Sequence, residues 1–364
     1  MREATPLCDR LGIPYPLFQA PMAGVATPEL AAAVGQAGGL GGLGLGATAP
    51  EHWAALLARY QALCSAPLHL NFFCHAPPST DPNRDQAWLS ACAPLFEALG
   101  AAVPPTLSPP YEPFSALEDL EAPLKSLRPG VVSFHFGLPR PDQMDTLRRL
   151  GQRLLVSVTN LDDARVAEAA GVDGLIVQGR EAGGHHSVFS GQAEGSVHST
   201  EAFLRALRPR TGLPLVAAGG VMTGQALRKL LDAGADAVQL GTAFLLCPEA
   251  STPPAQRARL QRAKGEKTVL YRGFSGSPAR GLANRLFHHL AGACPAEVPP
   301  YPLPYDLSKR LAAAAPAGAL EDLSVCWAGE GFEALRELPA ATLVRALLEE
   351  ARLGQGKRIG VHDA

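Results

Sequence analysis

The chain alternates short apolar runs with segments of helical periodicity, and this alternation limits the folds that are open to it. The apolar runs suit strands that are buried on both faces. They predict eight strands, at residues 17–20, 39–46, 67–73, 130–137, 153–158, 174–177, 213–220 and 236–242. Because strands that alternate with helices form parallel sheets, we expect one parallel sheet to organise most of the chain.

Eight parallel strands with short connections to the following helices predict a TIM barrel, the (β/α)8 fold. A doubly wound open sheet is the main alternative. The count of eight strands, together with the glycines that end the seventh and eighth of them, favours the barrel.

The alternation breaks in two places. Residues 76–128 are rich in proline and contain helical pieces, so they predict an insertion after the third strand. From residue 250 the chain is irregular again, and residues 332–353 have a helical pattern. We assign residues 1–75 and 129–249 to the barrel. Residues 76–128 and 250–364 are then a small, mostly helical second domain, consisting of an insertion or lid and C-terminal helical segments.

Composition and charge exclude several classes of protein. A net charge of −2 gives no basic face for nucleic acid or an acidic membrane. The start of the chain is charged where a signal peptide needs an apolar core. Residues 30–50 carry no charge, but their seven glycines argue against a membrane span. The 7 scattered cysteines form no CxxC motif, which indicates free thiols, a cytoplasmic location and no zinc or other metal site.

The sixth predicted strand runs directly into a polar loop that is poorly suited to packing alone. After Gln178 this loop carries Glu181, a glycine pair and then His185 and His186. Glycines let a flat ligand approach the backbone, and histidine is suited to proton transfer near neutral pH. We predict a site at this strand end with His185 as the catalytic residue, because it follows the glycine pair directly. His186 is the alternative.

Two glycine-rich turns follow the seventh and eighth predicted strands, at residues 216–220 and 239–244. In TIM barrels these loops commonly hold a phosphate through backbone N–H groups and a helix N-terminus. The two turns together predict a phosphate site. Residues 39–44 match the dinucleotide pattern GxGxxG, but a helix precedes them and no long helix follows, so we interpret them as a glycine-rich strand and turn.

Further polar residues end other predicted strands. Asn71 ends the third strand and His135 the fourth, where either can face a ligand. The spacing of Tyr301, Tyr305 and Lys309 would place them on one face of a helix, although Pro302 and Pro304 argue that the first part is not helical. These residues could receive an anionic substrate, or they could form an ordinary surface segment.

Six short motifs in order, FQAPMAG, LNFF, VVSFHFGLP, QGREAGGHH, LPLVAAGGV and VQLGTAFL, resemble the nitronate monooxygenases, formerly called 2-nitropropane dioxygenases. The resemblance spans residues 17–246, with weaker similarity at YPLPY and at residues 327–329. It implies an FMN-bound TIM barrel with a small helical domain. The histidine in VSFHFG is similar to the class I enzymes of that family.

The resemblance also implies roles for particular residues. His185 matches the active-site histidine of the family, and His135 matches a second histidine of the pocket. The substrate pocket would further include Tyr111, Tyr301, Tyr305 and Lys309. The residues expected to contact FMN are Ala20, Pro21, Met22, Asn71, Gln178, Gly183, Gly219, Gly220, Gln239, Leu240, Gly241 and Thr242.

Two departures from the family pattern are visible. His186 and Ser187 follow the active-site histidine, where the family often has Arg or Ile and then Gly. Ala243 stands where the family commonly has an arginine, so a cation is absent from this turn.

The resemblance implies oxidation of an alkyl nitronate, such as propionate 3-nitronate, by O2 through a flavin semiquinone. The products would be a carbonyl compound and nitrite or nitrate. One alternative is an FMN-dependent NAD(P)H reductase of the same superfamily, acting on enoyl-acyl-carrier-protein or on quinones. The EAGGH motif is shared with that reductase and does not decide between them. A non-catalytic flavin-binding barrel is the other alternative.

Overall fold

The computed structural model describes residues 5–124, 130–189, 195–293 and 297–353. Its strands are β1 (Leu17–Gln19), β2 (Gly41–Gly44), β3 (Leu68–Phe73), β4 (Val131–His135), β5 (Arg153–Val158), β6 (Gly174–Gln178), β7 (Gly184–His185), β8 (Leu215–Ala218), β9 (Ala237–Leu240), β10 (Thr268–Tyr271) and β11 (Ala279–Leu282). Each of the eight predicted strands overlaps one of these.

Eight of the strands form a parallel barrel in the order β1-β9-β8-β6-β5-β4-β3-β2. A parallel bridge between Phe18 and Leu40 joins β1 to the start of β2 and closes the circle. The predicted TIM barrel is therefore confirmed, and the open sheet is excluded. The glycine-rich pattern at residues 39–44 includes β2, a strand, as we interpreted it.

The α-helices are α1 (Pro6–Leu11), α2 (Pro28–Gln36), α3 (Trp53–Leu63), α4 (Pro82–Ala98), α5 (Glu121–Leu124), α6 (Pro141–Arg149), α7 (Leu161–Ala169), α8 (Thr200–Leu207), α9 (Gly224–Asp232), α10 (Pro254–Arg262), α11 (Arg285–Ala293), α12 (Leu303–Ala314), α13 (Leu320–Leu323) and α14 (Ala340–Glu350). Short 3-10 helices occur at Pro50–His52, Phe114–Ala116, Arg208–Arg210, Thr242–Phe244, Ala317–Ala319 and Phe332–Ala334. No helix in these described ranges is long and apolar enough to cross a membrane.

Side-chain caps start several helices where the sequence places a short polar residue. The hydroxyl of Thr27 accepts the N–H of Leu30, and Pro28 occupies the first turn of α2. Asn160 caps α7 and Thr223 caps α9 in the same way. Such caps satisfy N–H groups that have no partner within the helix, and they fix where each helix begins.

The barrel has a filled interior rather than a pore. Phe18, Val131, Leu155 and Val216 belong to one buried cluster that also contains residues of α1. The hydroxyl of Thr5, which caps α1, donates to the carbonyl of Asp236 just before β9. Helix α1 therefore closes the end of the barrel at which the strands begin, and the opposite end remains for a site.

A second sheet lies outside the barrel and was not predicted. Strands β10 and β11 pair antiparallel, and β11 also pairs with β7, whose His185 lies opposite Ala279. These two strands lie in the part of the chain that we predicted to be irregular and mostly helical. The small sheet links them directly to the loop that carries His185.

The helices outside the barrel have their own small core. Trp88 and Phe96 of α4 pack with Leu290 of α11 and Leu307 of α12. By contrast, α14 packs against α2 and α9 on the barrel, although the sequence division groups it with the lid. The two-domain division remains a prediction.

The contact between β2 and α2 tests the barrel packing. A Cβ atom on Gly41 would lie 2.1 Å from the carbonyl oxygen of Ala31, which is backbone and cannot swing away. We expect Gly41→Ala to lower the free energy of unfolding in urea by about 3 kcal/mol or more, as overpacking does. Gly212→Ala is the control, because its added methyl meets open space. Equal stability of the two variants would contradict this packing.

Candidate active site

The predicted site residues lie at one end of the barrel, where the parallel strands finish. Asn71 lies in β3, His135 ends β4 and Gln178 ends β6. Gly219 follows β8 directly, and Gly241 follows β9. Because all eight strands point the same way, their carboxyl ends surround one opening.

The loop that carries His185 is tied to two barrel strands. The backbone carbonyl of His185 accepts the side-chain N–H of Gln178 at 2.9 Å, and the Nε2 atom of His135 lies 3.0 Å from the same oxygen. The amide oxygen of Gln178 accepts the backbone N–H of Ser187 at 2.7 Å. These bonds fix the backbone on both sides of His185, so the direction of its side chain is set.

The ring of His185 is held at one nitrogen. Its Nε2 atom lies 2.9 Å from the hydroxyl oxygen of Ser275, and that hydroxyl donates to the carbonyl of Ser277 at 3.3 Å. A hydroxyl that donates elsewhere accepts from the histidine, so Nε2 carries the proton. Nδ1 then presents a lone pair that can accept a proton from a ligand.

Aromatic side chains surround the His185 ring. Its centroid lies 5.1 Å from that of Trp327, 5.3 Å from Tyr301, 5.5 Å from Phe136 and 5.8 Å from Tyr305. Burial, with smaller contributions from His135 and His186, lowers the pKa of His185 to about 3. His185 is therefore neutral at pH 7, and its Nδ1 lone pair is available to a ligand.

His186, the alternative to His185, is fully buried and bonded at both ring nitrogens. Its Nδ1 atom accepts the backbone N–H of Ser196 at 3.1 Å, and its Nε2 atom donates to the carbonyl of Ala182 at 3.2 Å. Both bonds go to backbone groups, so the imidazole holds the loop in shape. This arrangement leaves His186 no free nitrogen for chemistry, whereas His185 has one.

We call the space around the His185 ring the chamber. Three tyrosines and a lysine form one of its walls. The hydroxyl groups of Tyr111 and Tyr301 are hydrogen-bonded at 2.6 Å. The Nζ atom of Lys309 lies 5.2 Å from the ring centre of Tyr111 and 5.1 Å from that of Tyr305. Within the described residues no carboxylate lies within 4 Å of Lys309. The predicted pocket residues are thus brought together, and the wall carries an unpaired cation.

Burial determines the protonation of this wall. It raises the pKa of Tyr111, Tyr301 and Tyr305 above the usual value for a phenol, so all three hydroxyl groups keep their protons. Burial lowers the pKa of Lys309, and the nearby Asp306 opposes that shift. Tyr305 and Lys309 share a face of α12, whereas Tyr301 precedes that helix, in agreement with the expectation from its prolines.

The glycine-rich turns after β8 and β9 offer backbone N–H groups to a ligand. The backbone N–H groups of Gly219, Gly220 and Gly241 have no hydrogen-bond acceptor among the described residues. Gly219 and Gly220 have φ angles of 129° and 71°, which side chains rarely allow. The hydroxyl of Thr242 accepts the N–H of Gly329 at 3.0 Å and keeps its own proton to donate. This cradle suits a phosphate group.

Two amide side chains at the mouth have unused acceptor atoms. Asn71 donates from Nδ2 to the carbonyl and hydroxyl of Ser133, at 3.2 and 2.8 Å, so its oxygen points elsewhere. The Oε1 atom of Gln239 is buried and has no partner among the described residues. The side chain of Gln178 donates one N–H to the His185 loop and accepts one N–H from it. One further N–H and one lone pair of this amide have no partner among the described residues. A heteroaromatic ring with N–H groups would satisfy such acceptors.

The remaining predicted cofactor residues differ in what they can contribute. Ala20 and Met22 lie beside Gly241, and a Cβ on Gly183 would collide with the backbone of Gly329. Pro21 lies in the same loop as Ala20, against β2. The side chain of Leu240 is buried in the barrel core and its carbonyl accepts the N–H of Ala20. The side chain of Leu240 therefore contributes to packing, and its contact with a cofactor stays a prediction.

Three residues of the chamber were not predicted as site residues. Ser275 reaches His185 from the turn before β11, and no motif in the sequence marks it. Trp327 belongs to a segment for which only a weak similarity was noted. Phe136 directly follows the candidate residue His135 in VSFHFG. Its position beside that candidate could have identified it as a site residue.

Comparisons with known proteins show the family of the chain. The sequence profile of the family described as nitronate monooxygenase matches residues 4–350. The chain belongs to the nitronate monooxygenase family. It is 45% identical to the nitronate monooxygenase of Pseudomonas aeruginosa, over 94% of this chain and 97% of that protein. It is 43% identical to the nitronate monooxygenase of Paraburkholderia phytofirmans, with 95% and 94% covered.

A solved structure shows the same architecture. The nitroalkane oxidase from Streptomyces ansochromogenes superposes with a TM-score of 0.84 at 35% identity, over 95% of this chain and 97% of that one. The predicted family and the prediction of an oxidoreductase enzyme are thereby confirmed. Oxidation of nitronates is the activity that this family supports.

Five histidines of the barrel and its mouth make stability dependent on pH. Burial is the main cause that lowers the pKa of His69 and His185 to about 3, and of His75, His135 and His186 to about 4. In the unfolded chain each would bind a proton below about pH 6.5. The unfolded state therefore binds more protons, and stability is present above pH 6.5 and lost as the pH falls towards 4.

We expect the free energy of unfolding in urea to fall between pH 7 and pH 5, by at most about 1.4 kcal/mol per pH unit for each histidine. Proton uptake on unfolding at pH 5, followed in weakly buffered solution, provides the independent measurement. A flat stability profile over this range, with no proton uptake, would show that these side chains are not buried in the neutral form.

Proposed function

We propose that this protein binds FMN at the barrel mouth and uses O2 to oxidise small alkyl nitronates, propionate 3-nitronate among them. The observation that carries the proposal is the chamber itself. A neutral histidine with one free nitrogen, an unpaired lysine and hydroxyl donors meet beside a glycine cradle. These groups suit an anionic substrate held next to a phosphate-anchored cofactor.

The FMN phosphate would lie against the N–H groups of Gly219, Gly220 and Gly241, with the hydroxyl of Thr242 as a further donor. The ring would satisfy the free acceptors of Asn71 and Gln239, close to the backbone at Gly183. When bound, FMN would supply the one-electron oxidation of the nitronate and the reaction with O2 that yield a carbonyl compound and nitrite or nitrate.

The substrate anion would be bound by Lys309 and the tyrosines. Tyr111 and Tyr301 share one hydrogen bond, so one of their two hydroxyl protons remains free to donate. The ammonium group supplies the positive charge that a nitronate needs in a buried site. The carboxylate of propionate 3-nitronate fits the same wall, because Lys309 has no carboxylate partner among the described residues.

His185 would orient the nitronate, and would remove the α-proton when a neutral nitroalkane binds. Its Nδ1 lone pair is the group that accepts this proton, because Nε2 is engaged by Ser275. The carbonyl bonds from Gln178 and His135 keep the ring in position during the transfer. The low pKa of His185, caused mainly by burial, keeps it neutral before the reaction.

The visible spectrum of the purified protein with FMN tests the proposal. We expect one-electron reduction of the flavin on anaerobic mixing with propionate 3-nitronate, and no bleaching on mixing with NADH. Nitrite or nitrate should appear when O2 is admitted. Rapid bleaching by NADH without any response to nitronate would assign the protein to the reductases. Failure to bind FMN would show that the phosphate cradle was misinterpreted.

His185→Asn separates the two roles of the histidine. We expect kcat/KM for a neutral nitroalkane to fall about 100-fold or more, the usual size of a lost general base, and to fall less for its nitronate. FMN occupancy should be unchanged. His288→Asn is the matched control, because His288 is exposed on α11 and contacts no residue of the chamber. Wild-type activity of His185→Asn on both substrates would exclude the proposed role.

A further inference from the structure

A cleft of about 470 Å³ lies above the carboxyl ends of β3, β4 and β5. Its walls include His75 after β3, Phe136 and Leu138 after β4, Asp163 in α7 and Phe189 beyond β7. The cleft is separate from the chamber that contains His185, Tyr305 and Lys309, since none of these three lines it. The two spaces share only the neighbourhood of His75 and Phe136.

The ring of Phe136 forms the partition between these spaces. One side lines the cleft, whereas the ring centre lies 4.4 Å from that of Tyr301 and 5.5 Å from that of His185. The side chain is only 4% exposed, so it fills the gap between them. Removing the ring would join the cleft to the chamber beside His185.

The backbone of Phe136 is held in an unusual conformation. Its φ angle of 69° lies in the left-handed region, which costs a residue with a side chain about 1–2 kcal/mol. The N–H of Phe136 donates to the hydroxyl of Ser187 at 3.0 Å, and that hydroxyl donates to the carbonyl of Ser157 at 2.8 Å. Ser187 therefore holds the backbone of Phe136 in the conformation that directs its ring towards the chamber.

The chemistry of the cleft indicates what it can bind. Leu138, Val166 and Phe189 give it apolar walls, and its charged side chains are the carboxylates of Asp162 and Asp163. Burial raises the pKa of Asp163 to about 6, so part of this acidity is neutralised near pH 6. A carboxylate on the substrate would be repelled here, whereas an uncharged alkyl chain would be accommodated.

We propose that Phe136 sets the chain length of the nitronates that the enzyme accepts, because its ring separates the chamber from a cleft with room for a longer alkyl chain. With the nitronate group beside His185, a short chain ends at the Phe136 ring. A chain of about five or more carbons reaches the cleft only when this ring is smaller or displaced. This inference rests on the proposed oxidation of nitronates and names the part of the substrate that the cleft selects.

The test compares kcat/KM for hexyl-1-nitronate with kcat/KM for ethyl nitronate, with FMN bound. We expect the ratio to rise at least 10-fold in Phe136→Ala, because one or two methylene groups in an apolar pocket are worth that much. Phe136→Gly should raise it as well, since glycine adopts a φ of 69° without strain. Phe287→Ala is the control. This change removes an equal ring that packs against the small core of the helices outside the barrel and does not line the cleft. It should leave the ratio of the two kcat/KM values unchanged.

An unchanged ratio in both Phe136 variants, with ethyl nitronate still oxidised and FMN still bound, would overturn the proposal. An equal rise in Phe287→Ala would also overturn it, because the effect would then come from general loosening. If Phe136→Ala does not fold, Phe136→Leu provides the comparison, with a smaller rise expected. Absence of activity on every nitronate in the wild-type protein would instead refute the proposed function, and this inference with it.

Discussion

The backbone carbonyl of His185 accepts hydrogen bonds from Gln178 on β6 and His135 on β4, and the geometry of the site depends on this oxygen. The loop itself contains glycines and would otherwise have little to fix it. Two side chains from rigid strands hold it across the barrel mouth. The third support is Ser275, which holds the ring at Nε2 from outside the barrel. The side chain proposed as catalytic lies on a loop but is thereby held by residues of strands.

The same burial that fixes these groups also assigns their charges. Desolvation keeps His135 and His185 neutral and keeps the tyrosines protonated. Lys309 is therefore the group on this wall that can carry charge at pH 7, and its side chain is exposed. An anion bound as proposed would meet one ammonium and several neutral hydrogen-bonding groups, and within the part of the chain that the structure describes no carboxylate lies within 4 Å of that ammonium. In the proposed function, binding of the anion and acceptance of the proton would therefore fall to different residues, Lys309 and His185.

Much of this could be predicted from the sequence, because the signals are local. Buried parallel strands appear in the sequence as continuous apolar runs. Each run therefore indicates where a strand lies and which residue stands at its carboxyl end. Asn71, His135 and Gln178 were found in that way. The contributions of β10, β11 and Ser275 could not be found, since they depend on β11 pairing with β7 about 95 residues earlier, a contact that no local pattern records. The burial of the Leu240 side chain could not be predicted in this way, because a strand end shows its position but not which face each side chain takes.

The pairing of β11 with β7 has a mechanical consequence. Arg280 lies opposite Gly184, its Nε atom donates to the carbonyl of Arg180 at 2.7 Å, and its guanidinium lies 3.3 Å from Glu330. The strand that follows Ser275 is thus attached to the His185 loop at Arg180 and at Gly184. Because β7 and β11 belong to one sheet, the position of Ser275 and the orientation of the His185 ring depend on the same strand pairing.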